Sequence, residues 1–232
     1  MEYKDCLVIL SVYPEKKKIK PRLTRDLDPE LVSELFYLFV PEVIDRFKYG
    51  EYDFKLCFYP EHYRDSFIKW LGGEIDLIPQ SGRKMNEKIK NCFETLFEMG
   101  YERVIVLTSD TPDLPYLTVE KGFLALDNND AVIGPSTDNS FYMLGLNKSI
   151  YRPEIFEDVA VGTGIEFLTI YNRIKDRSVL VMPKRNNIDV VEDIQIFMNA
   201  ENRNMPSNSP TIQFLEKNRE HLMKLSSINA SH

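Results

Sequence analysis

Cysteine is scarce in this chain: Cys6, Cys57 and Cys92 lie far apart and never form a CxxC pair. Each sits in or beside apolar residues, the setting of a small buried hydrophobe, so a disulfide framework and a zinc signature are both excluded. That usage fits a reducing compartment. No apolar run approaches the ~20 residues of a membrane span. The first residues run from mixed charges through a short apolar stretch to a basic cluster, the reverse of a secretory signal. A cytoplasmic location is therefore expected. Histidine is scattered as His62, His221 and His232, which supports no Ser-His-Asp or Cys-His centre. The phosphate loop GxxxxGKS/T and the dinucleotide pattern GxGxxG are both missing. An excess of positive charge is missing too. The net charge is −7, which argues against a protein built to coat nucleic acid.

What is present is an ordinary globular composition, 43% hydrophobic and 28% charged over 232 residues. A chain of that size buries a core without metal or disulfide staples. Residues 6–12 read as a strand buried on both faces, followed by a basic loop over 16–25. Asp28 and Pro29 open a helix as N-cap and first-turn residue; Pro41 is expected to kink or split it and Gly50 to end it. Strands are expected over 53–59 and 74–78, with a helix over 61–71 between them closed by Gly72-Gly73. A helix over 83–99 carries Met85, Ile89, Cys92, Phe93, Leu96 and Phe97 on one face. The segment 103–108 (RVIVLT) is the best candidate for a central strand. A helix near Thr118, strands over 131–133 and 141–146, a helix over 163–175 and a strand over 179–182 complete the alternation. A polar linker over 201–210 precedes a last helix near 211–225. That helix has an apolar stripe, Ile212, Leu215, Leu222 and Leu225, fit either to pack back or to seat a partner.

Alternating strands and helices mean βαβ units and a mostly parallel, Rossmann-like sheet with helices on both faces. One α/β domain over 1–200 plus a helical tail over 201–232 is the expected organisation. Ligands of such sheets bind beyond the carboxyl ends of the strands. Asp110 follows RVIVLT there, where a carboxylate suits a hard divalent cation bridged to a diphosphate; the competing reading is a turn cap. Asp113 reads as structural. Lys16, Lys17, Lys18, Lys20, Arg22 and Arg25 crowd the first loop as a phosphate clamp or as a solvated face. Asp189 follows the last strand and either shares a metal with Asp110 or caps the next helix. Gly162-Thr163-Gly164 is a weak anion-binding signal.

At these positions the chain resembles the glycosyltransferase-A-like family of radical-SAM/selenodomain-associated transferases, relatives of molybdenum-cofactor and phospholactate guanylyltransferases within the nucleotide-diphospho-sugar transferase fold. The likeness spans about residues 5 to 200. The family's P-x-x-G-x-V-K-T-R-L loop is met by PEKKKIKPRL, keeping Lys20 and Arg22 but placing Lys17 and Pro21 at the glycine and threonine. Its Q-x-G-x-x-L-G-E-R-M keeps Gln80, Gly82 and Glu87. Its G-S-D-x-P is met by Thr108 to Pro112. Its G-P-x-x-D-G-G-Y-Y keeps Asp138 but has Asn139 and Ser140 for the glycine pair. Its D-x-D-T-x-x-D-L keeps Asp189 and Asp193, with Asn187 for the first aspartate.

The resemblance implies a divalent-metal-dependent transferase acting on a nucleotide or nucleotide-sugar and an acceptor that the sequence does not name. Asp110 and Asp138 are its catalytic residues. Lys20, Arg22, Gln80, Gly82 and Ser109 bind nucleotide or phosphate, and Asp110 and Asp189 hold Mg²⁺ or Mn²⁺. The glycine-free, lysine-rich first loop leans toward glycosyl transfer. Nucleotidyl transfer (guanylyltransferase-like) and a catalytically inactive scaffold on the same fold are the alternatives, and the exposed tail leaves a homodimer open.

Overall fold

The computed structural model describes residues 4–16, 18–200 and 204–223. Among them a seven-stranded sheet runs in the order β3-β2-β1-β4-β6-β5-β7. The strands are β1 (Asp5–Val12), β2 (Asp53–Tyr59), β3 (Asp76–Pro79), β4 (Arg103–Thr108), β5 (Ala131–Pro135), β6 (Phe141–Asn147) and β7 (Val179–Val181). Pairing is parallel except where β6 meets β4 and β5, so β6 alone is reversed. The helices are α1 (Leu23–Asp26), α2 (Pro29–Phe47), α3 (Arg64–Leu71), α4 (Met85–Glu98), α5 (Tyr116–Leu126), α6 (Glu166–Ile174), α7 (Val191–Asn199) and α8 (Pro210–Lys217).

Both faces of the central strands are covered. Leu7 and Ile9 of β1 join a core built with α2, α5, α7 and α8, while Cys6, Val8 and Leu10 join one built with α4 and α6. That two-sided burial is why β1 and β4 read as unbroken apolar runs. The cysteines are buried and free, as expected.

Several expectations change. Pro41 does not split α2, which runs from Pro29 to Phe47. A proline at 41 leaves the Tyr37 carbonyl without its helical donor, and Trp70 Nε1 supplies one at 3.0 Å while its ring stacks on Tyr37 at 4.8 Å. Asp28 caps the helix as expected, accepting from the amides of Glu30 and Leu31. The helix ends at Phe47, not Gly50. Gly50 instead makes room for the Tyr52 ring, which a Cβ there would meet at 2.1 Å. The third strand is shifted to Asp76–Pro79. The basic loop includes the short helix α1.

Met85 is exposed rather than part of the buried face of α4, because the helix begins there and its first turn borders a cavity. The last helix breaks at Asn218. Its stripe packs back: Ile212, Leu215 and Leu222 are buried against the α2 face, which removes the reading of that stripe as a partner seat. Leu225 lies outside the described residues.

Candidate functional site

Every parallel strand points its carboxyl end to one edge, and the reversal of β6 brings the 136–140 turn to the same edge. A cavity of about 590 Å³ opens there. Lys20 and Arg22 enter it from the loop after β1, Gln80 from the end of β3, Ser109 and Asp110 from the turn after β4, Asp138 from the β5–β6 turn, and Asp189 from the loop before α7. Of the residues that the resemblance assigns to catalysis, nucleotide or metal, Gly82 alone is not in the wall. It takes a φ of +119° in the turn before α4, where a Cβ would meet Glu87 Cβ at 2.8 Å.

The charged end is a network. Lys20 Nζ lies 2.7 Å from Asp110 Oδ2 and 3.6 Å from Asp189 Oδ1, and the Arg22 guanidinium donates to Asp189 Oδ2 at 2.6 Å. Burial works against the Lys20 ammonium, but Asp110 and then Asp189 hold its pKa above that of an ordinary lysine. Two other loop cations are not in the wall and pair with acids of their own: Lys16 with Glu30 and Arg25 with Asp26. Lys18 lines the cavity while pairing with Glu15. Lys17 lies outside the described residues.

Asp189 is free for this role because it is not the cap of α7. Val190 holds that position, and Asp193 accepts from the amides of Asp189 and Val190, both at 2.9 Å. Beside it runs a chain of side chains that spacing does not reveal. Thr111 Oγ1 donates to Asn187 Oδ1 (2.5 Å), Asn187 Nδ2 donates to Ser140 Oγ (3.1 Å), and Ser140 Oγ donates to Asp138 Oδ1 (2.7 Å). The Ser140 amide adds a second bond to the same oxygen at 3.0 Å. Asn139 adopts φ +63°, a left-handed conformation that asparagine tolerates better than most residues.

The Gly162 and Thr163 amides are not offered to an anion. Gly162 N and Thr163 N (3.1 Å) both donate to Glu166 Oε1, and α6 begins only at Glu166. Glu166 is itself buried in the cavity wall, a residue the sequence reading passed over. Gln80 clamps two strand ends, its Nε2 donating to the carbonyls of Ser11 (3.2 Å) and Cys57 (2.9 Å). Leu10, Phe36, Ile89, Phe141 and Val161 give the same cavity apolar lining. Asp113 is outside it, held near Arg46 and Arg185, and burial raises its pKa.

Sheet order, strand ends and cavity place this chain in a class: an α/β protein of the nucleotide-diphospho-sugar transferase fold. It is similar to a solved protein of Desulfovibrio desulfuricans proposed to be a nucleotide-diphospho-sugar transferase, with 26% identity over 97% of this chain and 99% of that one and a TM-score of 0.91. The same fold recurs in a cytidylyltransferase of Leptospira borgpetersenii (12% identity, 97% of each chain, TM-score 0.54). It recurs again in Rv0371c of Mycobacterium tuberculosis in complex with manganese (10% identity, 86% of this chain and 100% of that one, TM-score 0.54). No curated protein matches the sequence. Residues 44–163 match the family described as "Uncharacterized protein conserved in bacteria (DUF2064)", and the chain belongs to that family. Among the described residues no helix is long and apolar enough to cross a membrane.

Proposed function

We propose that this protein is a divalent-metal-dependent glycosyltransferase that takes its sugar from a nucleotide-diphospho-sugar. The observation that carries the reading is the convergence of Lys20, Arg22, Asp110, Asp138 and Asp189, from four separate loops, on one cavity at the carboxyl edge of the sheet. The charge balance of that cavity supports a metal. Its described lining holds three cations (Lys18, Lys20, Arg22) against four carboxylates (Asp110, Asp138, Glu166, Asp189). An anionic diphosphate entering a site with a surplus carboxylate needs a further positive charge. The donors fit. Asp110 and Asp189 already share one cation, the Lys20 ammonium, and offer hard oxygen ligands. Since no group of three or more His, Cys, Asp or Glu is gathered among the described residues, Mg²⁺ or Mn²⁺ on this pair would take its other ligands from phosphate oxygens and water. Bound there, the metal would neutralise the charge that builds on the departing diphosphate.

The chain's own residues supply the rest. Arg22 and Lys20 hold phosphate oxygens, and the apolar wall takes the base. Asp138, its Oδ1 fixed by Ser140, has its second oxygen for the acceptor hydroxyl. That oxygen takes the proton as the hydroxyl bonds the anomeric carbon, and the carbon–oxygen bond to the diphosphate breaks with its electron pair leaving on the nucleoside diphosphate. The test is a thermal-shift screen of nucleotides and nucleotide-sugars with Mn²⁺, with Mg²⁺ and with chelator, in the native chain and in Asp110→Asn. A ligand that binds only the folded state raises Tm. The expected result is a metal-dependent rise lost in the variant, followed by release of a nucleoside diphosphate on turnover. Release of pyrophosphate would assign nucleotidyl transfer instead, and no shift with any nucleotide would end the transferase reading.

A further inference from the structure

The Lys20 ammonium sits between Asp110 and Asp189, at 2.7 and 3.6 Å. The backbone is distorted to put it there. Lys20 has φ +46°, a left-handed conformation that side chains with a Cβ rarely adopt. The peptide is locked in place: the Lys20 carbonyl accepts from both the amide (3.0 Å) and the hydroxyl (3.2 Å) of Thr24. The Phe36 ring backs the ammonium at 5.5 Å. Its side chain is 16% exposed, against 56% for Arg22, which reaches Asp189 from the solvent side. Strain held at a ligand cavity by surrounding structure signals a position that matters to what the cavity does.

A cation bridging two carboxylates stands where a divalent metal bridging the same pair would stand. We propose that Lys20 is the resident cation of the Asp110–Asp189 pair in the free protein, and that metal and lysine exchange. Arrival of the metal expels the ammonium, which then meets the phosphate that enters with it. This rests on the reading above that the pair holds a divalent cation. The exchange couples the two ligands. Metal alone must displace an ion pair and gains nothing for the displaced charge, whereas metal with a phosphate gives the ammonium a new partner. Each ligand therefore raises the affinity for the other, and by linkage the factors are equal.

The test measures Mn²⁺ binding by electron paramagnetic resonance on the full chain, with Mn²⁺ alone and with Mn²⁺ plus inorganic pyrophosphate. It compares the native protein with Lys20→Met and Lys20→Gln, each checked for folding by circular dichroism. Removing a charge-assisted bond to the carboxylates should tighten binding of Mn²⁺ alone by about tenfold or more. The same variants should bind the Mn²⁺–pyrophosphate pair more weakly than the native chain. A purely structural lysine would move both affinities the same way, so the opposite signs are the signature. If Mn²⁺ alone binds the variants and the native chain equally, or binds the variants more weakly, the exchange is wrong while the metal site stands. If Mn²⁺ binds none of the three, with or without pyrophosphate, the metal reading itself fails and the exchange fails with it.

Discussion

Asp193 carries a prediction whose size can be worked from two bonds. Its carboxylate accepts from the amides of Asp189 and Val190, both at 2.9 Å and both on Oδ2, in the first turn of α7. Val190, at the N-cap, has no side-chain acceptor of its own, so Asp193 alone satisfies these two amides. Asp193→Ala strands them at a helix start. Loss of a helix-terminal acceptor costs about 0.5–2 kcal/mol, and two amides served by one charged oxygen put the expected loss near 2 kcal/mol. Asp193→Asn keeps an oxygen at the same place and should cost no more than about 0.5 kcal/mol. The pH dependence separates charge from hydrogen bonding. Burial, the larger effect, raises the Asp193 pKa against the pull of the two amides. A carboxyl whose folded pKa lies above its unfolded value favours the protonated fold, so the native chain gains stability relative to Asp193→Asn as pH falls from neutral through the folded pKa. Urea unfolding of the three proteins at pH 7 and at mildly acidic pH measures both effects. The reasoning is refuted if Asn is as costly as Ala at pH 7, or if the gap between the native chain and Asn moves the other way in acid. Because those amides set the loop bearing Asp189, Asp193→Ala should also weaken Mn²⁺ binding where Asp193→Asn does not.

Other substitutions probe the same framework. Asn187→Asp would face the single Ser140 hydroxyl with a second carboxylate. It should destabilise the fold by about 1–2 kcal/mol and shrink any nucleotide-induced rise in Tm, with an unchanged Tm arguing against the Thr111–Asn187–Ser140–Asp138 chain. Gly145→Ala would bring a Cβ to 2.5 Å from Val132 Cγ1 and 3.0 Å from Ile105 Cγ1. The expected overpacking cost is about 1–3 kcal/mol in urea unfolding. Trp70→Phe should cost about 1 kcal/mol, and less when combined with Pro41→Ala, since an alanine at that position would return an amide to the Tyr37 carbonyl. Strict additivity of the two would show that the indole is not the replacement donor.

Much of this arrangement was legible in the residues. Two-sided burial writes itself as apolar runs, which located β1, β2 and β4, and the Asp28-Pro29 pair marked the start of α2. Placing Asp110 and Asp189 at strand ends followed from the rule for open sheets. The reversed β6 was not read, although its signal was present. Only residues 136–140 separate β5 from β6, too few for a parallel crossover and enough for a hairpin. That reversal is what brings Asp138 to the cavity that Asp110 lines. Other features have no local code. Trp70 answers the missing amide of Pro41 from another helix. Asn187 and Ser140 meet across 47 positions of sequence.

That last pair bears on whether the substitutions mark a decayed site. Ser140 and Asn187 stand where the resembled pattern has a glycine and an aspartate, and they bond to one another. Polarity along the chain is consistent at each step. The Thr111 hydroxyl gives to the amide oxygen, the amide nitrogen gives to the serine, and the serine gives to Asp138. An aspartate at 187 would leave Ser140 with two acceptors and one proton, and a glycine at 140 would leave the Asn187 amide without its partner. The two departures therefore make sense together and neither does alone. Their joint effect is to remove one negative charge from the carboxyl edge while fixing Asp138 more firmly. The scaffold alternative rested on the lost glycines, of which Ser140 replaces one, and on the apolar stripe of the last helix, whose described residues Ile212, Leu215 and Leu222 are buried in the protein's own core. Ser140, Asn187 and the described stripe are thus accounted for by contacts within the chain, which takes from the scaffold alternative the tail and one of the lost glycines.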